Sequence, residues 1–323
     1  MTKIAKIIVI LAVFFIAAFP SSAQRAGYVI SPKNAETVLS ASYLEEVVKH
    51  LSSEALGGRA TGTEGSRNAA FWLDSKFRET GLECYSGAFQ HGFRTGGTMG
   101  RNVIGYIPGT SSGCVIVMAH YDNLGKLGDT FFPGADSNAS GVAALLQVAR
   151  MFVRMKECGR KYSKTLVFVA LDAKEEDLAG ASALWERITD GRLGFSAGDI
   201  SLVVNLDQLG SSLSPITKGN PDYLMMLSDV NGCRRETLQS VEKSQHIGLE
   251  LAFDYYGSKD FTNLFYRRIS DQRVFLEHGI PSVMFTSGIT MLNNKPGDLP
   301  ETLDYPVFTK RVRLIFHYLD RIL

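Results

Sequence analysis

Four short apolar runs constrain this chain most: VIVMAH ending at His120, TLVFVAL ending at Leu171, SLVVNLDQLG with Asp207 near its end, and PSVMFTSG at 281–288. They are continuous rather than alternating and rich in Val, Leu and Phe, the pattern of strands buried on both faces. Between and around them, residues 42–52, 65–80, 138–155, 178–189 and 305–322 carry apolar side chains at helical spacing. Strands alternating with helices predict an α/β fold: a three-layer sandwich with a mostly parallel, mixed central β-sheet flanked by helices. RNVIGYIPG adds a further strand ended by Pro-Gly, and Ser137 or Asn138 stands where helix 138–155 needs an N-cap.

The N-terminus reads differently from the rest. Lys3 and Lys6 precede an apolar stretch from Ile7 to Phe19, followed by Pro20 and the small residues Ser21, Ser22 and Ala23. This is the pattern of a signal peptide cleaved near Ala23–Gln24, and the run is shorter than the roughly 20 residues a spanning helix needs. Residues 1–23 are therefore expected to be removed on export, to the periplasm or beyond, leaving residues 24–323 as one domain with no membrane segment. In an exported protein Cys84, Cys114, Cys158 and Cys233 permit disulfides, with three full pairings open. A net charge of +1 with scattered lysine and arginine gives no groove for nucleic acid.

In sheets of this kind functional groups gather beyond the C-terminal strand ends. His120, Lys174–Glu176, Asp207 and the loop after Ser287 all fall there, with the acidic loop GADSNASG (134–141) between them. A histidine at a strand end, an acidic loop opening a helix and carboxylates after a second strand are the donor types of a zinc site.

Several stretches together resemble the secreted aminopeptidases with two co-catalytic zincs, the clan of bacterial leucyl aminopeptidases, glutaminyl cyclases and glutamate carboxypeptidase. They are LGGRATGTEGSRNAAFWLDSKFRETGL, NVIGYIPG, AHYDN, GADSNASGVAALLQVAR, KEEDLAGA, NLDQLG and SDQRVFLEHGIPSVMFTSG. The resemblance implies His120 as a ligand with Asp122 orienting its ring, Glu175 as a ligand, and Asp207 as the ligand closing its strand. It also implies a bridging aspartate, a general-base glutamate and a late histidine. At those positions this chain has Ser137, Lys174 and Asn294.

Two other registers stay open. A one-residue shift of the acidic loop would bring Asp136 to the bridge, and an insertion before Glu175 would make Glu175 and Glu176 the base–ligand pair. In the ungapped register one metal position keeps Glu175 and the other His120 and Asp207, so at most one weakly held zinc is expected. Lys174 is then a built-in cation standing for part of the metal charge. The expected function is a pseudoenzyme that binds a peptide, an amino-acid-like ligand or a protein partner. The competing expectation is an altered aminopeptidase with one zinc at His120 and Asp207, and a weaker one is a serine hydrolase built on Ser137. The remaining histidines, His50, His91, His246, His278 and His317, lack metal-like spacing.

Overall fold

A computed structural model describes residues 30–228 and 233–323, so the signal-like segment lies outside the described residues. Its nine-stranded sheet comprises β1 (Glu83–Cys84), β2 (Gln90–Thr95), β3 (Thr98–Ile107), β4 (Cys114–His120), β5 (Thr165–Leu171), β6 (Ile200–Leu206), β7 (Tyr223–Ser228), β8 (Glu250–Ala252) and β9 (Ser282–Thr286). Their order is β1-β3-β5-β4-β6-β9-β7-β8, with β2 beside β3. The middle four, β5-β4-β6-β9, run parallel, while β3 and β7 flank them antiparallel. The four runs that stand out in the sequence are those four parallel strands.

Among the described residues, besides the single turn Lys33–Glu36, the helices are α1 (Ala41–Leu51), α2 (Glu64–Thr80), α3 (Gly141–Glu157), α4 (Ala179–Thr189), α5 (Cys233–Gln245), α6 (Lys259–Arg267), α7 (Gln272–Glu277) and α8 (Tyr305–Ile322). Alternate residues of each central strand feed opposite cores. Val115, Val117 and Ala119 join the core under α1, α2, α3 and α8, whereas Ile116 and Met118 join the one under α4 and α7. Burial on both faces is why these strands show no polar alternation. The expected three-layer α/β sandwich is therefore present.

Sequence-coded caps set several helix ends. Ser40 and Thr63 accept from the third residue of α1 and α2, and α2 stops at Gly81 in the left-handed region. The expected N-cap at Ser137 or Asn138 is not what forms. Residues 135–140 make a separate wide turn, and α3 begins at Gly141, where a Cβ would lie 2.4 Å from the Leu206 carbonyl oxygen. Asn138 Oδ1 does accept from Gly141 N, but from within that turn.

Cys84, Cys114 and Cys158 are free thiols, and the Cys233 side chain lies outside the described residues. No helix among the described residues is long and apolar enough to cross a membrane. Phe152 on α3 is fully buried against Tyr162 and Phe316. Phe152→Ala is expected to cost about 3–5 kcal/mol in chemical denaturation, through lost burial and the cavity left behind.

Candidate active-site cleft

Because β4, β5, β6 and β9 are parallel, the groups following their last residues meet at one edge. His120 ends β4, Lys174 and Glu175 follow β5, Asp207 follows β6, and Asn293 and Asn294 lie in the loop after β9. Lys174, Glu175, Asp207, Asn293 and Asn294, with Ser137, line a cavity of about 300 Å³ whose apolar wall is Tyr255, Phe265 and Met284, while His120 is fully buried behind Asp207. Of the sequence-predicted groups, Ser137, Lys174, Glu175, Asp207 and Asn294 line this one space, and His120, Asp122 and Asp136 do not.

His120 is fully buried between two aspartates. Its Nδ1 lies 3.1 Å from the Asp122 backbone carbonyl and 3.6 Å from the Asp122 carboxylate, so the nearer contact is to the backbone. On the other side Nε2 stands 3.7 Å from Asp207 Oδ1. Burial and Lys174 oppose a charge on the ring, but the two aspartates outweigh them and raise its pKa to about 9. Asp122 faces two ways, since its Oδ2 also accepts from Glu175 N at 3.1 Å and ties the β4 end to the β5 end.

Lys174 points inward. Its side chain keeps 16% of its exposure and its Nζ lies 3.5 Å from Glu175 Oε1. Burial disfavours the ammonium, yet the carboxylates of Asp207, Glu175, Asp271 and Asp122 more than compensate and hold its pKa above the usual lysine range. An ammonium so held cannot accept a proton, which a general base must do.

Ser137 lines the cavity, and its backbone rather than its hydroxyl is tied down: its N–H and that of Asp136 donate to the two oxygens of Asp298 at 3.0 and 2.8 Å. Asp136 turns away from the cavity. Its Oδ1 accepts from Ser140 Oγ, Gly210 N and Ser211 N, bracing the turn against the β6 end. Burial, with Asp298 nearby, pushes its pKa to about 7. Glu176 does not line the cavity. No hydroxyl–imidazole contact joins Ser137 to His120 among the described residues.

Four groups not singled out by sequence shape the cleft. Arg59 is fully buried and donates to the carbonyls of Tyr121 (2.6 Å), Pro133 (2.8 Å), Gly134 (3.0 Å) and Leu51. Asp298 braces the Ser137 loop, and Asp172 accepts from Thr61, Ser66 and Arg101 at the β5 end. The fourth, Asp271, precedes α7 and is buried with neither carboxylate oxygen hydrogen-bonded. Burial, with Asp122 and Asp207 adding to it, pushes its pKa to about 7 although His120 and Lys174 pull it down. The signal for Arg59 was the GGR turn, for Asp271 a carboxylate opening a helix before a strand.

Asp271 gives a pH prediction. Its folded pKa lies above its unfolded value, so its contribution to stability declines as pH rises from about 4 to about 7 and is then level. Asp271→Asn is therefore expected to stabilise by about 2–4 kcal/mol at pH 8 and by nearly nothing at pH 4, measured as denaturation midpoints. A variant equally stable relative to wild type at both pH values would contradict this.

A zinc site of the expected kind needs three or four converging donors. Among the described residues no three His, Cys, Asp or Glu side chains converge to hold a metal ion. His120 and Asp207 face each other as a pair, Glu175 pairs with Lys174, and Ser137, on the same cavity wall, offers only a neutral hydroxyl. The donor set does not fit a two-zinc centre.

Residues 102–319 match the sequence pattern of peptidase family M28. The chain belongs to that family. Leucine aminopeptidase 1 of Ajellomyces capsulatus is 26% identical over 176 residues, 52% of this chain and 43% of the relative. The chain spans about half the length of the curated relatives it matches. The LapA aminopeptidase of Legionella pneumophila shares the fold with a TM-score of 0.70 and 17% identity, covering 90% of this chain and 74% of LapA. A zinc aminopeptidase from Bacillus subtilis superposes with a TM-score of 0.67 at 15% identity, over 88% of this chain and 95% of the relative. The M28 match begins at Asn102 and so includes the cleft residues from His120 to Asn294.

Proposed function

We propose that this M28 family member is an exported, non-catalytic protein that uses the cleft to bind a peptide, an amino-acid-like ligand or a protein partner. One observation carries the reading: the largely buried ammonium of Lys174, at the position where the family resemblance implies the general base, is held by Glu175 and Asp207. Peptide hydrolysis by a zinc aminopeptidase requires a proton acceptor there, worth about 10²–10⁴ in rate. The serine at the bridge and the asparagine at the last ligand position act in the same direction, since neither supplies an anion or an imidazole. The electrostatics support a metal-independent cleft, because Lys174 supplies positive charge among Asp122, Asp207, Glu175 and Asp271. Export rests on the Lys3–Ala23 sequence pattern.

The test is hydrolysis of N-terminal residues from a peptide panel, with and without chelator. The account expects no turnover above background in either case. Chelator-sensitive release that survives Lys174→Ala would sink it.

One observation favours a second reading. His120 Nε2 and Asp207 Oδ1 are buried, lack hydrogen-bond partners and face each other at 3.7 Å. Under that reading they hold one zinc in an altered aminopeptidase, which would lose both metal and activity on His120→Ala. A third reading, a hydrolase built on Ser137, finds no support in the contacts of its side chain.

A further inference from the structure

A second cavity, of about 450 Å³, lies between β2 and α4 and shares only Asp177 with the central one. Its lining is mostly polar and carries seven charged side chains. Three of these are already neutralised, Arg192 by Asp190 at 2.8 Å and Asp177 by Arg273 at 3.3 Å. The other four are Arg94, Arg187, Glu176 and Glu186, and among the described residues none of them has an ion-pair partner within 4 Å. Two cations and two anions are thus held apart around a space instead of neutralising one another.

Arg187 is half-buried, and both that burial and the neighbouring Arg192 disfavour its charge. It is the lining group with most to gain from an anion. A second, independent observation points into the same cavity. His91 lines it, is only 8% exposed, and has an Nε2 without a hydrogen-bond partner. Burial pushes the imidazole down to about 4, although the Ala88 backbone opposes this, so the ring is neutral and its Nε2 is left without a partner. Buried polar atoms of this kind are normally paired.

We propose that this cavity binds a small zwitterion of the α-amino acid or dipeptide class, its carboxylate on Arg187, its ammonium facing Glu176 and Glu186, and its N–H donor on His91 Nε2. A multiply charged anion such as phosphate would meet two unpaired carboxylates, and a neutral sugar would leave Arg187 uncompensated. A zwitterion satisfies both signs at once. The volume suits a dipeptide, and the scarcity of apolar wall favours small side chains. The inference is independent of whether the central cleft is catalytic, since the two cavities share one exposed residue.

The probe is the dipeptide Ala-Ala, titrated calorimetrically into the mature protein beside its C-terminal amide and its N-acetyl form. Saturable binding by Ala-Ala is expected, weakened about tenfold or more by either blocking group and by Arg187→Gln. In Arg187→Gln the amide should bind no worse than the free acid, a pairing that a general loss of structure would not produce. Glu186→Gln gives the matching test at the ammonium end, where acetylation should cease to matter. Lys174→Met, in the central cleft, should leave Ala-Ala affinity as it is. Absence of saturable binding to the wild-type chain would overturn the proposal. So would binding untouched by Arg187→Gln and abolished by Lys174→Met, which would place the dipeptide in the central cleft and leave the reading of that cleft standing.

Discussion

The triple substitution Ser137→Asp, Lys174→Glu, Asn294→His is expected to turn a chain that retains about no zinc into one that does. Each change supplies the donor or proton acceptor that the family resemblance implies at that position. The Ser137 loop is anchored by Asp298 and Asp136, Lys174 lies in the loop just past the end of β5, and Asn294 lines the same cavity. Removing the ammonium matters as much as adding anions, because a cation beside Asp207 and Glu175 competes with a metal for the same charges. Single substitutions should do much less, since two or three donors hold zinc far more weakly than four. The gain should appear as bound zinc after dialysis and as hydrolysis of N-terminal residues rising by about two orders of magnitude or more. A folded triple variant that holds no zinc would mean that donor geometry, not donor identity, differs from the zinc-binding relatives.

Arg59→Met is expected to be the most damaging single change to the scaffold, costing about 3–5 kcal/mol. The guanidinium is fully buried and joins four backbone carbonyls, those of Leu51, Tyr121, Pro133 and Gly134. Methionine fills much of the same volume but donates nothing, leaving those carbonyls desolvated and unpaired. Two of these carbonyls belong to the approach to the Ser137 loop and one to the residue after His120, so the cleft should loosen along with the fold. Denaturant midpoints would show the loss, and a cost under about 1 kcal/mol would mean that water replaces the guanidinium without penalty. Burial also pulls the Arg59 pKa down to about 10, although Asp122 and Asp298 favour its charge.

The central sheet was legible because its four parallel strands are apolar on both faces, short and Val-rich, and alternate with helical patterns, as strands covered by helices on both sides do. The edge strands β1, β2 and β8 are short and mixed, so periodicity does not reveal them. Helix α3 was misplaced at its start for a local reason. Ser137 and Asn138 look like caps in sequence, but Asp298, far along the chain, claims the Ser137 backbone, and the turn ends only where Gly141 can approach Leu206.

The cleft divides the same way. His120, Lys174, Glu175 and Asp207 could be placed because each follows a recognisable strand. Arg59, Asp271 and Asp298 could not, since their roles come from long-range contacts made by loops. Asp122 shows a finer limit of the same kind. Its presence two residues after His120 suggested a carboxylate–imidazole contact, but the strand end brings the backbone carbonyl closer than the carboxylate.

Whether Lys174 and its partners have taken the place of metal is tested most directly by the zinc content of the mature protein, purified without chelator and dialysed against zinc. About no zinc retained per chain is expected, with the wild-type fold intact. One tightly held zinc per chain, lost on His120→Ala, would contradict it and establish His120 and Asp207 as a working metal site.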